Sequence, residues 1–331
     1  MKEFLRDNHN RGHNYLRISL TERCNLRCTY CMPSQGIELS PQSKLMSSDE
    51  IFEIAKYFVD SGVTKIRLTG GEPLVRKDFE KILRSLASLD VELAISTNAV
   101  LVDKYIDLFK EVGLNKINVS LDSTIEERNN KITRRNNHQK VMDNILLLEE
   151  NGFQVKINTV LIKGFNDDEI VDFVNLTKDR KLNIRFIEFM PFDGNEWDKK
   201  KMISLDEILK NIESNLGSNF SKIEDELNDT TKNYKLNNSK GSFGIISTVT
   251  NPFCDSCNRI RLTANGQIKN CLFSSTENDL LGALRRGEDI SLVIDKAVKN
   301  KFEIRGGMDS NEKLEDPNYH GKNRSMIAIG G

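Results

Sequence analysis

Tyr15-Leu16-Arg17-Ile18-Ser19-Leu20 is followed, after Thr21-Glu22-Arg23, by Cys24-Asn25-Leu26-Arg27-Cys28-Thr29-Tyr30-Cys31. In the first stretch Leu16, Ile18 and Leu20 oppose Arg17 and Ser19, the period-two pattern of a β-strand. The second stretch sets three thiols on one short loop, spaced C-x3-C-x2-C, just past the strand's C-terminal end. Three thiolates can hold three irons of a four-iron, four-sulfur cluster, which leaves the fourth iron open to a small molecule. Zinc usually takes a paired C-x2-C with distant partners, and bacterial ferredoxins run C-x2-C-x2-C. The spacing here fits neither.

Working outward, Lys65–Thr69, Glu92–Thr97, Lys116–Leu121, Gln154–Leu161 and Ile184–Met190 read as five more strands. Amphipathic runs near Asp49–Ser61, Lys77–Leu89, Asp103–Val112, Gln139–Asn151, Asp168–Lys178 and Ser204–Leu216 read as helices between and after them. Ser47 or Ser48, Asp167 and Ser204 stand where helix N-caps are wanted. Six β-α pairs in a row predict an α/β fold with parallel strands and right-handed crossovers. Six rather than eight predicts an incomplete (β/α)6 TIM-type barrel, with a flat doubly wound sheet as the alternative. Both put their sites at the C-terminal strand ends. Cys24 to Cys31 follow the first strand there, and Gly70-Gly71-Glu72-Pro73 follows the second.

After Asn219 the chain turns polar, and Asp225 to Gly241 reads as a loop or weak hairpin. A new segment begins at Ser242, with helices near Leu280 and Ile294. The expected division is 1–218 for the partial barrel and 219–331 for a C-terminal iron–sulfur extension.

The 331 residues can bury a sizeable core; 38% are hydrophobic and 29% charged, ordinary for a soluble globular protein. A formal net charge of −1 gives no overall field for nucleic acid or a membrane surface. No apolar run approaches the roughly 20 residues that span a bilayer. Met1 to Asn14 is polar, unlike a signal peptide. The expected location is the cytoplasm, where six cysteines are ligands or catalytic groups rather than disulfides.

Strand alternation adds a basic interior. Lys65, Arg67 and Thr69 share one face of the second strand against Ile66 and Leu68. Asn118 and Ser120 oppose Ile117, Val119 and Leu121, and Lys156 and Asn158 oppose Val155 and Ile157. Arg185 begins the sixth strand. With helices outside, the apolar faces turn to them and the polar faces turn inward. Burying unpaired cations costs several kcal/mol each, so Arg17, Lys65, Arg67, Lys156 and Arg185 predict an open interior that grips a polyanion. Pairing with acids, or exposure at strand ends, is the alternative.

Cys254-Asp255-Ser256-Cys257 and Cys271 form a second group, C-x2-C-x13-C. On spacing alone a zinc site, completed by His320, stands beside a second cluster with an open iron. Arg259 and Arg261 follow at alternate positions and bring positive charge to the site.

The C-x3-C-x2-C run, with Tyr30 before its last Cys, resembles the signature of the radical S-adenosylmethionine (SAM) superfamily. That resemblance implies that SAM chelates the open iron and is cleaved to a 5′-deoxyadenosyl radical. Arg17-Ile18-Ser19, Cys24 to Pro33, Lys65 to Leu74, Asn118 to Asp122, Ile184 to Met190, the second cysteine group and the terminal Gly330-Gly331 narrow it. Over nearly its full length the chain is similar to the GTP 3′,8-cyclase family, which begins molybdenum cofactor biosynthesis. The resemblance implies two [4Fe-4S] clusters, on Cys24, Cys28 and Cys31 and on Cys254, Cys257 and Cys271. It implies a SAM site at Tyr30, Gly71, Thr97, Ser120 and Met190. It implies GTP contacts at Arg17, Lys65, Arg67, Thr69, Lys156, Arg185, Arg259 and Arg261. It gives Gly330 and Gly331 a part in catalysis at the end of a threading tail. It further implies a flavodoxin- or ferredoxin-type electron donor, a downstream cyclic pyranopterin monophosphate synthase, and a homodimer.

Two other readings compete. A radical SAM peptide-modifying maturase would usually carry more C-terminal cysteines and has little use for a row of inward cations. An iron–sulfur or zinc module without catalysis has no use for the Gly-Gly-Glu-Pro turn.

Overall fold

The computed structural model describes residues 5–33, 35–320 and 323–330. Its strands are β1 (Tyr15–Ser19), β2 (Lys65–Thr69), β3 (Glu92–Thr97), β4 (Lys116–Ser120), β5 (Gln154–Leu161), β6 (Asn183–Glu188), β7 (Phe220–Lys222), β8 (Lys232–Leu236), β9 (Ser242–Ile246), β10 (Arg259–Leu262), β11 (Gln267–Lys269) and β12 (Asn278–Asp279). Among the described residues they make one sheet, in the order β12-β11-β10-β1-β2-β3-β4-β5-β6-β9-β8-β7. From β10 through β1–β6 to β9 every pairing is parallel. At each end an antiparallel ribbon follows, β11-β12 on one side and β8-β7 on the other.

The main helices are α1 (Ser48–Asp60), α2 (Phe79–Ala87), α3 (Ile106–Glu111), α4 (Glu126–Thr133), α5 (His138–Glu150), α6 (Ile170–Asp179) and α7 (Leu205–Leu216). Ser47 and Ser204 close capping boxes with Glu50 and Glu207, which fixes where α1 and α7 begin. Asp167 does not cap α6; its Oδ1 accepts from the Gly164 N–H at 2.8 Å and closes the preceding loop instead. Ile51, Ile54 and Phe58 of α1 and Ile82 and Leu86 of α2 join Leu16, Ile18, Ile66, Leu68, Ile117 and Ile157 in one buried core. Each such side chain contributes about 1.5–3 kcal/mol on burial. The opposite strand faces carry Arg17, Arg67, Asn118, Lys156 and Arg185.

Of the loop and hairpin readings of Asp225–Gly241 the structure favours the hairpin, since β8 lies within it and pairs antiparallel with both β7 and β9. The structure differs from the sequence expectation in two places. Helix α4 has no apolar period to announce it; it buries Asn129, Ile132 and Thr133. The last two parallel strands come from beyond residue 218, because β9 pairs with β6 and β10 with β1. No helix among the described residues is long and apolar enough to cross a membrane.

Glu188, at the end of β6, fastens this junction. Its carboxylate is fully buried and accepts from the Val249 N–H at 2.8 Å, the Thr250 N–H at 3.0 Å and the Thr250 hydroxyl. The turn it holds leads directly to Cys254. Glu188→Ala should therefore cost about 3 kcal/mol, since buried donors lose a charged acceptor. The check is the denaturant midpoint; an unchanged midpoint would refute the role.

Candidate active site

The first cysteine loop is placed by a close backbone approach. Past β1 and β2 the two chains keep running side by side, with Gly71 N–H donating to Thr21 O at 2.7 Å and Glu72 N–H to Arg23 O at 2.8 Å. A Cβ on Gly71 would lie 2.4 Å from Arg23 O, so only glycine permits the approach. It brings Glu72 beside Cys24. The Glu72 carboxylate is 1% exposed and accepts from Leu74 N–H, Thr97 Oγ1 and Asn98 N–H at 3.1, 2.8 and 2.7 Å. Burial pushes its pKa up to about 7 despite those donors. The Thr97 hydroxyl is thus committed to Glu72, and the group facing the cysteine is Asn98, whose amide donates to Asn25 Oδ1 at 2.7 Å and approaches Cys24 Sγ at 3.7 Å. The Leu26 N–H also points at Cys24 Sγ, at 3.3 Å.

Tyr30 donates to Asp122 Oδ2 at 2.8 Å, which ties the loop to the end of β4. Burial raises Asp122 to about 6. Cys24 is pushed up to about 11 and Cys31 to about 12, chiefly by burial, and Cys28 rises as well. Cys28 and Cys31 each feel the charge of Cys24, so the three thiols are neighbours. Ser120 is exposed at the end of β4. Met190 packs against the small apolar cluster of Val249, Phe273 and Met308 that also contains Cys271.

The second cysteine group has a different electrostatic setting. Lys301, 4% exposed, donates to Cys257 Sγ at 3.3 Å and to Arg259 O at 2.9 Å. The Arg305 N–H donates to Cys254 Sγ at 3.4 Å, and Arg11 Nη1 to Cys254 O at 2.9 Å. Burial would raise the Cys257 thiol, but the charges of Arg259 and Lys301 outweigh it and bring it down to about 6. All six cysteines are free thiols. Among the described residues no three Cys, His, Asp or Glu side chains converge on a single ion. The side chain of His320 lies outside the described residues.

The strand order fixes how the two groups relate. Cys24 to Cys31 lie past the C-terminal end of β1, while Cys257 precedes the N-terminal end of its parallel neighbour β10. Cys271 follows β11, which runs back along β10. The groups therefore lie toward opposite ends of the same strands, separated by roughly 16 Å of sheet for five residues.

Between them lies the basic face. Arg261 on β10, Arg17 on β1 and Arg67 on β2 are register neighbours, as are Arg259, Tyr15 and Lys65 one step earlier. Burial and the neighbouring guanidiniums lower Arg17 to about 10 and Arg261 to about 9, with Tyr15 opposing the shift. Lys156 falls to about 8 through burial and the charge of Arg185. Arg185 is lowered too, by burial and by Arg67. Lys65 is the partial exception, since it pairs with Glu92 at 2.6 Å.

Sequence reasoning passed over Tyr15, whose hydroxyl accepts from Arg67 Nε at 2.6 Å. Burial would raise this phenol, yet Arg67, Arg17 and Lys65 draw it down to about 7. It also passed over Asn98, Asp122 and Lys301. The first two had one signal, their place at the ends of β3 and β4; Lys301 had none.

The tail enters this face. Gly330 is buried, with φ +86°, and a Cβ there would lie 2.5 Å from Thr69 Oγ1 and 2.9 Å from Ser19 Cβ. Its carbonyl accepts from Arg261 Nη1 at 2.9 Å, and the Ile327 N–H donates to Cys31. Gly331 lies outside the described residues.

Residues 18–177 match the model of the radical SAM superfamily, and residues 182–305 match that of Molybdenum Cofactor Synthesis C. The GTP 3′,8-cyclase of Listeria welshimeri is 42% identical over 99% of this chain and 100% of its own length. The mitochondrial GTP 3′,8-cyclase of Arabidopsis thaliana is 45% identical over 100% of this chain and 84% of its own. The chain belongs to the GTP 3′,8-cyclase family of radical SAM enzymes. Against human molybdenum cofactor biosynthesis protein 1 the identity is 40% over 98% of this chain, which spans 51% of that longer relative. Streptococcus suis SuiB bound to its precursor peptide SuiA superposes with a TM-score of 0.62 at 15% identity, over 97% of this chain and 72% of that one. That likeness shows the shared radical SAM fold. Membership of this family brings SAM and a [4Fe-4S] cluster with it.

Two outcomes follow from the geometry. In cluster-free protein at pH 7, Cys257 lies above its pKa as a thiolate while Cys24 and Cys31 remain thiols. Iodoacetamide should label Cys257 more than tenfold faster, with the advantage fading below about pH 6; uniform labelling by peptide mass spectrometry would refute the charge setting. Gly330→Ala should drive the tail from its seat and raise hydrogen exchange across 326–330 at least tenfold. Unchanged protection there would show that the seat tolerates a side chain.

Proposed function

We propose that this chain is a GTP 3′,8-cyclase, acting at the first step of molybdenum cofactor biosynthesis. The observation that carries the reading is its full-length identity of 42% to a bacterial enzyme of that name. The product is (8S)-3′,8-cyclo-7,8-dihydroguanosine 5′-triphosphate. When bound, the cluster and SAM would supply the 5′-deoxyadenosyl radical that takes the ribose 3′ hydrogen; C3′ then bonds to guanine C8, and one electron and one proton from outside the nucleotide complete the dihydro product.

This chain's residues do the positioning. Cys24, Cys28 and Cys31 hold the SAM cluster. Gly71, by letting the β2 turn approach, sets the SAM site, with Tyr30, Thr97, Ser120 and Met190 around it. Cys254, Cys257 and Cys271 hold a second [4Fe-4S] cluster. The family resemblance is what carries that reading over zinc. Arg17, Lys65, Arg67, Thr69, Lys156 and Arg185 face the triphosphate and ribose, and Arg259 and Arg261 lie between them and the second cluster. Gly330 and Gly331 complete the site from the tail. Two cysteine groups at opposite ends of one basic face suit a substrate held at both ends, base toward one and ribose toward the other. Such orientation contributes up to roughly 7–11 kcal/mol of barrier reduction at best.

The sheet is proposed to curl as an incomplete six-unit barrel, residues 1–218, with 219–331 as the iron–sulfur extension lining its open edges. Supporting this, Arg67 on β2 lowers the pKa of Arg185 on β6, although four strand spacings along a flat sheet would be roughly 19 Å. Family resemblance carries the remaining parts: a homodimer in the cytoplasm, a flavodoxin- or ferredoxin-type donor, and a cyclic pyranopterin monophosphate synthase that takes the product.

The test is anaerobic reconstitution with dithionite, SAM and GTP, read by mass spectrometry for 5′-deoxyadenosine and a 3′,8-cyclised nucleotide. Cys271→Ala should keep deoxyadenosine formation and lose the cyclised product by at least a hundredfold. Product at the wild-type rate would refute the role of the second group; deoxyadenosine alone from intact protein would send the substrate elsewhere.

A further inference from the structure

The proposed reaction draws electrons from outside the protein, and its residues mark one place where they can enter. Where the first cysteine loop meets the end of α4, the Arg27 N–H donates to Thr133 O at 2.9 Å and the Thr29 N–H to Ile132 O at 3.0 Å. The helix then stops at Arg134, which takes a left-handed conformation, φ +53°. That stop sets Arg134 and Arg135 on the surface directly beside the loop. Arg134 Nη1 donates to Arg27 O at 3.1 Å, and Arg27 Nη1 donates in turn to Cys24 O at 2.6 Å. Two hydrogen bonds thus link an exposed guanidinium to the backbone of a cluster ligand.

Arg23 is exposed on the same opening. A cavity of about 620 Å³ lies here, lined by Arg23, Arg27, Arg134 and Arg135, by Cys24 and by the exposed Leu39 among others. Glu22, the one carboxylate lining it among the described residues, is 4% exposed and already accepts from Ser40 N–H and Oγ at 2.7 and 2.9 Å. None of the four arginines has an ion pair among the described residues; Arg27, Arg134 and Arg135 donate to backbone carbonyls instead. Elsewhere on this surface charges are commonly matched, as in Arg128 with Asp168 and Lys140 with Asp103. Four unmatched guanidiniums around one opening therefore stand out as a local positive field on a chain of net charge −1.

We propose that this arginine patch is the docking surface for an acidic one-electron carrier protein, which reduces the first cluster past Cys24. The inference deepens the proposed function and rests on its demand for an electron at that cluster. An acidic carrier matches the field, is steered to the opening, and is held at the cavity that Cys24 lines. The exposed guanidiniums of Arg23, Arg134 and Arg135 stand at the protein surface, where a partner protein can reach them.

The experiment is anaerobic stopped-flow on cluster-loaded protein, with reduced flavodoxin as the acidic probe and dithionite as the small reductant. In the wild type the flavodoxin rate should fall steeply with added salt. Arg134→Glu combined with Arg135→Glu should lower it at least tenfold, while the dithionite rate stays within twofold and iron content is unchanged. A flavodoxin rate within twofold of wild type overturns the proposal. Equal losses with both reductants overturn it as well, since they mark damage to the loop rather than to docking. A raised KM for GTP with an unchanged flavodoxin rate would reassign the patch to nucleotide capture. Wild-type protein that fails to cleave SAM with dithionite would instead refute the proposed function and leave the docking rates to be read separately.

Discussion

Like charges gathered on the inner face of one sheet are the constraint on which this structure turns. Arg261, Arg17 and Arg67 are register neighbours on three adjacent strands, with Lys156 and Arg185 further round. Burial lowers the pKa values of Arg17, Arg261, Lys156 and Arg185, and neighbouring cations in or beside the row lower each of them further. An arginine does not relieve this by losing its proton. The repulsion has to be met by other means, and several features of the fold are intelligible as those means. Tyr15 places a phenol oxygen against Arg67. The Gly330 carbonyl accepts from Arg261. Lys65 turns to Glu92. None of these is a full anion set within the row, so the face retains an excess of positive charge that a triphosphate would neutralise.

The same strand order explains why two cysteine groups far apart in sequence serve one region. Placing β10 beside β1 sets the C-terminal cysteines at one end of the strand pair and the N-terminal loop at the other. The two environments then diverge. Asn98, a backbone amide and the tail offer the first group neutral donors, while Asp122 and Glu72 stand behind it. Lys301, Arg259 and Arg305 surround the second. Hydrogen bonds and charge near the sulfurs are among the levers that set cluster potential, so identical ligand sets here would not be electronically equivalent.

Much of this was legible in the sequence, for identifiable reasons. Period-two alternation marked β1 to β6 within two residues at their ends, because each strand has one face made mainly of apolar residues. The cysteine spacing marked the first group because three ligands on one loop form a local pattern. What escaped was non-local. Strands β9 and β10 are five and four residues long, and nothing in Ser242–Ile246 or Arg259–Leu262 says that they join opposite edges of the sheet. Helix α4 hid because it buries little apolar surface, though its left-handed end at Arg134 governs what lies beside the cysteine loop. Lys301 is one lysine among many until the fold brings it to Cys257.

The segment after residue 223 shows how such placement acquires meaning. From sequence it reads as a loop or weak hairpin with no part in the site, yet Glu226 and Asp229 raise the pKa values of Lys156 and Arg185. The reason is register. Arg185 lies opposite Gly244, and Gly244 opposite Asn233, so the three are level on adjacent strands. The Asn233 amide donates to Asp229 Oδ2 at 2.8 Å and to Asp225 Oδ1 at 3.1 Å. Asp229 is thereby tied to β8, and among the described residues neither it nor Glu226 forms an ion pair with Lys156 or Arg185. Carboxylates in direct contact would satisfy Lys156 and Arg185 and close the face to an anion. Held short of contact, Glu226 and Asp229 stabilise the charged forms of both residues, so the segment tempers the repulsion without neutralising either cation by direct pairing.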